Sequence, residues 1–346
     1  MARARLAHRG RRPPVRGVTS LCLAAFLLSS VTDIRADDGV NDRPKVWNPV
    51  IAGPELLSGV GLQPPGQMFF RVYMFSEVGY AQYGAAWSLS THALDQKLFA
   101  INPNVEYAVG LLPWLECGVF ASEASWWQTA GDGNGASSGH GIGDTNPYCK
   151  QRIHAPQQGG LAFWLTNMVF VSLPTSEWAG PIGTPSIPGG FAPLGRLPAT
   201  HFGEPEITEL ILFRKTFQPF RISGGVYYSY ALPGSSGGVG QFFGDIFQYR
   251  VAFEHVLDDK RGFAYALEGI GLHGLPFRLD GHTVNAGRSS FGLIGVQPTI
   301  EYRFTEQIAG EAGVLFTALG TNDVTAVYPN FSLYYYWNPS GAVAGR

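Results

Sequence analysis

The sequence predicts an all-β fold: a transmembrane antiparallel up-and-down β-barrel of about twelve strands, with short periplasmic turns and long extracellular loops. Three observations predict it. Between Phe99 and Leu111 the odd positions are Phe99, Ile101, Pro103, Val105, Tyr107, Val109 and Leu111, against Ala100, Asn102, Asn104, Glu106, Ala108 and Gly110. That period of two gives a strand one apolar face, and it restarts after Leu112-Pro113-Trp114 as Leu115, Cys117, Val119 and Ala121. Each strand matches the roughly nine to eleven residues that a tilted strand needs to cross a bilayer. Second, short and long connections alternate along the rest of the chain. Third, 45% of the 346 residues are hydrophobic and 14% charged, with 45 Gly and 13% aromatics, a balance that suits many strands and corners.

The N-terminus reads as an address. Arg3, Arg5, Arg9, Arg11, Arg12 and Arg16 precede an apolar run from Val18 to Val31, the layout of a secretory signal peptide over residues 1–36. Beyond it no run of roughly eighteen apolar residues offers a membrane helix. An exported apolar chain without such a helix is a secreted β protein or an outer-membrane barrel, and the long strands favour the barrel. A formal net charge of −2 leaves no basic stripe for nucleic acid.

Residues 37–66 hold Pro44, Pro49, Pro54, Pro64 and Pro65 and read as an irregular periplasmic lead-in. The barrel is expected over 67–337, with a tail over 338–346. Strand one carries Phe70, Val72, Met74, Val78 and Tyr80 on one face and Arg71, Tyr73 and Glu77 on the other. Loop 81–96, the hairpin just described and the glycine-rich loop 128–141 follow, and then strands over 142–153 and 161–173. Loop 174–202 is the longest. Further strands are expected over 204–215, 220–231, 244–256, 263–272, 291–303, 307–319 and 327–337, with loops at 232–243 and 273–290. An even count leaves both termini in the periplasm, and closure removes the two edges of an open sheet. The last strand, ending Tyr334-Tyr335-Tyr336-Trp337, is nearly terminal and aromatic, like the signal read by the barrel-assembly machinery. Prolines at 103, 147, 205, 298 and 329 interrupt even-numbered strands, where they cannot donate to the ladder, and their recurrence predicts a repeated bulge.

Tyr107-Ala-Val-Gly-Leu-Leu-Pro-Trp-Leu-Glu116-Cys-Gly118-Val resembles the strand-turn-strand motif of the phenol-degradation MetA-pathway family of outer-membrane barrels. Gly141-Ile-Gly143-Asp144, with Lys150-Gln-Arg152, resembles that family's Gly-x-Gly-Asp strand, and Val171-Ser-Leu-Pro174-Thr its strand-to-loop ending. Cys117 and Pro147 depart from the pattern. The resemblance covers strands two to five, and it implies a barrel associated with uptake of aromatic or other hydrophobic compounds.

Alternation places Arg71, Glu77, Glu106, Glu116, Asp144, Lys150, Arg152, Arg250, Glu254, Glu268, Glu301, Arg303 and Glu311 on the inward face. Both signs occur, so no strong ion selectivity follows. They read either as paired charges that fill a lumen or as the lining of a constriction. Trp126, Trp127 and Trp337 suit an aromatic girdle at the membrane interfaces. The histidines lack a serine partner on one rim, and Gly-x-Ser-x-Gly is absent, so no catalytic constellation is expected. No cofactor or metal site is expected either. Cys117 and Cys149 fall on neighbouring strands in an oxidising compartment. They could join as a cross-strand disulfide, although two such residues more often sit as small apolar side chains. The expected function is passive passage of small hydrophobic or aromatic solutes across the outer membrane. A structural or adhesive barrel with a filled lumen is the alternative.

Overall fold

A computed structural model describes residues 47, 49, 51–130, 136–156, 163–173, 175, 177–179, 205–236, 239–242, 244–276, 278–279, 281–283 and 290–338. The expected signal peptide, most of loop 174–202 and the C-terminal tail past Asn338 lie outside them. No described helix is long and apolar enough to cross a membrane.

Twelve long strands follow one another around the barrel: β1 (Met68–Tyr83), β2 (Thr91–Leu112), β3 (Leu115–Ala130), β4 (Ala136–His154), β5 (Trp164–Ser172), β6 (Glu206–Phe217), β7 (Phe220–Ala231), β8 (Ile246–Asp258), β9 (Phe263–Gly274), β10 (Phe291–Arg303), β11 (Ile308–Thr321) and β12 (Val324–Trp337). Every consecutive pair is antiparallel, and β12 returns to β1 with Met68 opposite Trp337, which closes the sheet. The faces segregate as a lipid solvent demands. Along β8, Tyr249, Val251 and Phe253 look outward at 46%, 50% and 42% exposure, while Ala252 and Glu254, on the alternate positions, are fully buried. In the absence of water the outer face keeps apolar side chains against acyl chains, and ladder closure satisfies the backbone.

Two expected boundaries shift. β1 and β2 run into predicted loop 81–96, with Tyr83 opposite Thr91, and β2 has 22 residues, or roughly 70 Å of strand. Even tilted, that exceeds an outer-membrane span, so the β1–β4 hairpins project outward beyond the bilayer. The predicted loops 232–243 and 273–290 also contain ordered pairing. Gly234–Ser236, Val239–Phe242, Arg278–Leu279 and His282–Thr283 form a four-stranded sheet outside the barrel.

The expected bulge at each proline is corrected. Register shifts occur at Gly79/Ala81, Gly110/Leu112, Ala121/Glu123, Arg152/His154, Val256/Asp258 and Ile294/Gly295, none at a proline, and Pro205 precedes β6. The other four prolines each pair with the preceding strand: Pro103 with Met74, Pro147 with Val119, Pro298 with Leu267 and Pro329 with Val314. Toward the other neighbour each leaves a gap in the ladder. A proline lacks only its own N–H, so one side of the strand loses pairing and the register survives. The carbonyl that Pro103 leaves without a donor lies across the gap on β3, where Asn102 Nδ2 donates to Glu123 O at 2.8 Å. Along their own strands Asn104 Nδ2 donates to Asn102 O at 2.7 Å, Asn146 Nδ2 to Asp144 O at 2.8 Å and Asn330 Nδ2 to Tyr328 O at 3.2 Å.

Candidate functional site: the occluded lumen

The lead-in expected in the periplasm is, from residue 51, inside the barrel. Trp47 stands at the periplasmic rim, where its indole donates to Asp259 Oδ2 at 2.9 Å and its carbonyl accepts from Thr216 Oγ1 at 2.7 Å. The chain then climbs to Glu55–Ser58 and descends to Gly66, where the Gly66 N–H donates to Gly110 O at 2.8 Å. Gly53 turns it at φ +114°, a conformation that side-chain-bearing residues rarely adopt. Leu56, Leu57 and Val60 are buried. Leu57 and Val60 pack among Leu210, Leu212 and Tyr227, whereas Leu56 joins a cluster with Tyr73, Ile246 and Ile270.

An irregular segment inside a barrel has backbone groups with no ladder to join, and each must find a partner. The inward carboxylates supply them. Gly53 N–H donates to Glu301 Oε2 at 2.9 Å, Glu55 N–H and Leu56 N–H to the two oxygens of Glu268 at 3.1 and 2.8 Å, and Gln63 N–H to Glu116 Oε2 at 2.7 Å. Wall donors take the carbonyls: Arg250 takes Leu56 O, Thr166 takes Val60 O at 2.7 Å, and Lys150 takes Gly59 O at 3.4 Å. Ser58 N–H reaches Tyr227 Oη at 3.1 Å.

The residues predicted to line the lumen thus divide by partner. Arg71 binds Glu55, Glu106 and Glu311 at 3.5, 3.7 and 3.3 Å and lies over the Tyr73 ring. Lys150 pairs with Glu116 at 2.7 Å, and half-buried Arg152 stands two residues nearer the periplasm on the same strand. Glu254 holds Arg221 (Nε to Oε2, 2.6 Å), with Glu301 3.9 Å away. Glu77 accepts from Tyr328 Oη at 3.5 Å in the extracellular half. Asp144 is buried on β4. Arg303 sits at the rim, donating to Thr305 O and Glu306 O in the turn.

Sequence reasoning missed Glu55, Arg214 and Arg221. Glu55 was hidden by its proline-rich surroundings. On β6, Leu210 and Leu212 face inward beside Arg214, because they meet the plug, so alternation there contrasts two apolar faces and conceals the cation.

Above Glu55, Leu56 and Ser58 the lumen holds a small cavity of about 80 Å³. Its wall is aromatic and polar by turns, with Tyr73, Phe75, Phe120, Phe170, Tyr227, Arg71 and Arg250 among the lining residues. A stacked pair of rings stands near each end of the outer surface. Trp127 stacks on Phe99 at 5.4 Å on the extracellular side, and Trp337 stacks on Tyr335 at 5.6 Å at the periplasmic end. The Trp126 side chain lies outside the described residues. Cys117 and Cys149 face each other across β3 and β4 with Cα atoms 4.1 Å apart and are joined as a disulfide, which corrects the expectation of two free apolar side chains.

A closed twelve-stranded barrel with an apolar exterior and charges turned inward is an outer-membrane β-barrel. No protein-family model matches the sequence, and no curated protein matches it. Among solved structures, the chain resembles an outer membrane channel from Pseudomonas putida F1, with TM-score 0.62 and 11% identity, over 80% of this chain and 97% of that one. The transport unit of the autotransporter AIDA-I from Escherichia coli gives TM-score 0.43 at 10% identity over 78% and 90%. The toluene transporter TodX of P. putida gives TM-score 0.37 at 8% identity over 80% and 91%.

Proposed function

We propose that this barrel is a plugged channel for passive uptake of small hydrophobic or aromatic solutes, in keeping with its resemblance to the MetA-pathway barrels. The supporting observation is the aromatic-walled cavity in the extracellular half of the lumen, which ends on a floor of this chain's own N-terminal segment. A solute collected there crosses only if residues 51–66 move toward the periplasm. Most of the bonds that hold the segment run to charged or hydroxyl side chains, which water can solvate once the segment leaves. Uncovering Leu56, Leu57 and Val60 costs about 5–9 kcal/mol at roughly 1.5–3 kcal/mol per side chain. The resting channel is therefore closed, with rare openings. The assembly machinery that reads terminal aromatic strands is the partner expected during insertion.

The filled lumen also suits a structural or adhesive barrel, and flux separates the two readings. Proteoliposomes carrying the intact protein are expected to take up toluene or phenol faster than empty liposomes, with small, intermittent conductance in planar bilayers. Absence of flux from the intact protein, together with flux only after deletion of residues 51–62, would support the structural barrel.

A further inference from the structure

We propose that the cavity above the plug is a binding site for a small aromatic carboxylate, with Arg250 receiving the carboxylate and the surrounding rings receiving the aromatic body. The inference deepens the channel reading above and rests on it for the route by which a solute reaches the site. Two guanidinium groups line the cavity, and their surroundings differ. Arg71 is saturated by its carboxylates Glu55, Glu106 and Glu311. Arg250 meets only neutral groups: the Leu56 carbonyl, Gln248 Oε1 at 2.7 Å, and the face of Tyr227 at 4.4 Å. Among the described residues no carboxylate pairs with it, and its Nε is buried without a hydrogen-bond partner. A half-buried cation with no counter-charge is one the fold has left for something else to neutralise, since an uncompensated charge in a low-dielectric site is costly.

Of the other charges in the cavity, Glu55 and Glu106 serve Arg71, and Glu206 on β6 accepts from Thr208 Oγ1 at 2.7 Å. The guanidinium fork matches a carboxylate in bidentate geometry. Phe120 and Phe170, whose centroids are 5.4 Å apart edge to face, with Tyr73 and Tyr227, offer the apolar walls that a single ring fills. Because Arg250 also holds the Leu56 carbonyl, a carboxylate that engages it competes with a plug contact. Binding and loosening of the floor are thereby linked at one side chain.

The test uses the full-length protein in detergent micelles and in proteoliposomes, with benzoate, benzyl alcohol, benzylamine and acetate as probes. Benzoate is expected to bind with a Kd at least tenfold below those of the other three, and R250Q to lose that preference while R250K keeps part of it. Tighter binding of benzylamine, equal binding of benzyl alcohol, or no benzoate binding by the intact protein overturns the proposal. That series on the intact protein decides the matter even if R250Q fails to fold. If benzoate does not bind while neutral aromatics still cross the liposome wall, this site is wrong and the channel reading stands. If benzoate binds and no solute crosses, the channel reading is wrong and the site stands.

Discussion

At the scale of single residues, the side chain that makes the Pro103 interruption tolerable is the asparagine just before it. Asn102 is 3% exposed, and its amide donates at 2.8 Å to Glu123 O, the β3 carbonyl that the missing proline N–H leaves without a ladder donor. Replacing Asn102 with Leu keeps the volume and leaves the Glu123 carbonyl unpaired, at a cost of about 1–3 kcal/mol. The urea midpoint of unfolding, followed by heat-modifiable gel migration, is expected to fall accordingly. A control change at outward Val105 should leave it in place. An unchanged midpoint in N102L would mean that the carbonyl finds another donor. The sequence shows the prolines and their shared face plainly. It does not show that the answer is a side-chain bond, because a carboxamide beside a proline acquires that role only when the register sets it against the carbonyl across the gap. The inward charges are legible for a related reason. A charge on an alternating strand has one tolerable face, whereas Glu55, outside any strand, has no period to betray it.

At the scale of elements, the plug and the β3–β4 hairpin make separate predictions. The plug is seated by apolar contacts and by close approach. A Cβ on Gly110 would stand 2.2 Å from Pro64 O, so G110V should displace the descending limb of the segment. The double change Leu57→Ser and Val60→Ser removes two buried anchors and is expected to raise the open fraction in single-channel recordings at least tenfold, with the barrel's gel migration unaltered. Unchanged gating would show that the polar bonds alone hold the segment. Loss of the Cys117–Cys149 link, which closes a sequence separation of 32, is expected to cost about 2–4 kcal/mol, read as a lower urea midpoint for C117S/C149S in the absence of reductant. The hairpin is legible from its two alternating strands. The disulfide is not, because cross-strand neighbours in either redox state satisfy the same pattern. The plug is illegible because proline and glycine mark an irregular path without saying on which side of the wall it runs.

For the whole molecule, the governing choice is which face of a closed sheet meets lipid. Strand number, closure and the alternation of short and long connections were legible because a bilayer offers few solutions to a chain of this composition. The occupation of the lumen was not, since polar inward residues suit water and an inserted segment equally. That choice has a direct energetic consequence on adjacent residues of β8. Val251 looks outward near the middle of its strand, opposite Gly269 on β9 and Gly224 on β7. A guanidinium placed there enters the hydrocarbon, where a midplane Arg costs about 2–4 kcal/mol in a transmembrane barrel. In a freely soluble β protein the same change on a half-exposed surface valine stays within about 0.5 kcal/mol. Folding of V251R into liposomes, titrated with urea, distinguishes these outcomes: a loss of the larger size is expected, and V251T should stay near the parent. A neutral V251R would place water where acyl chains are expected, and with it would go the inward assignment of the carboxylates that hold the plug.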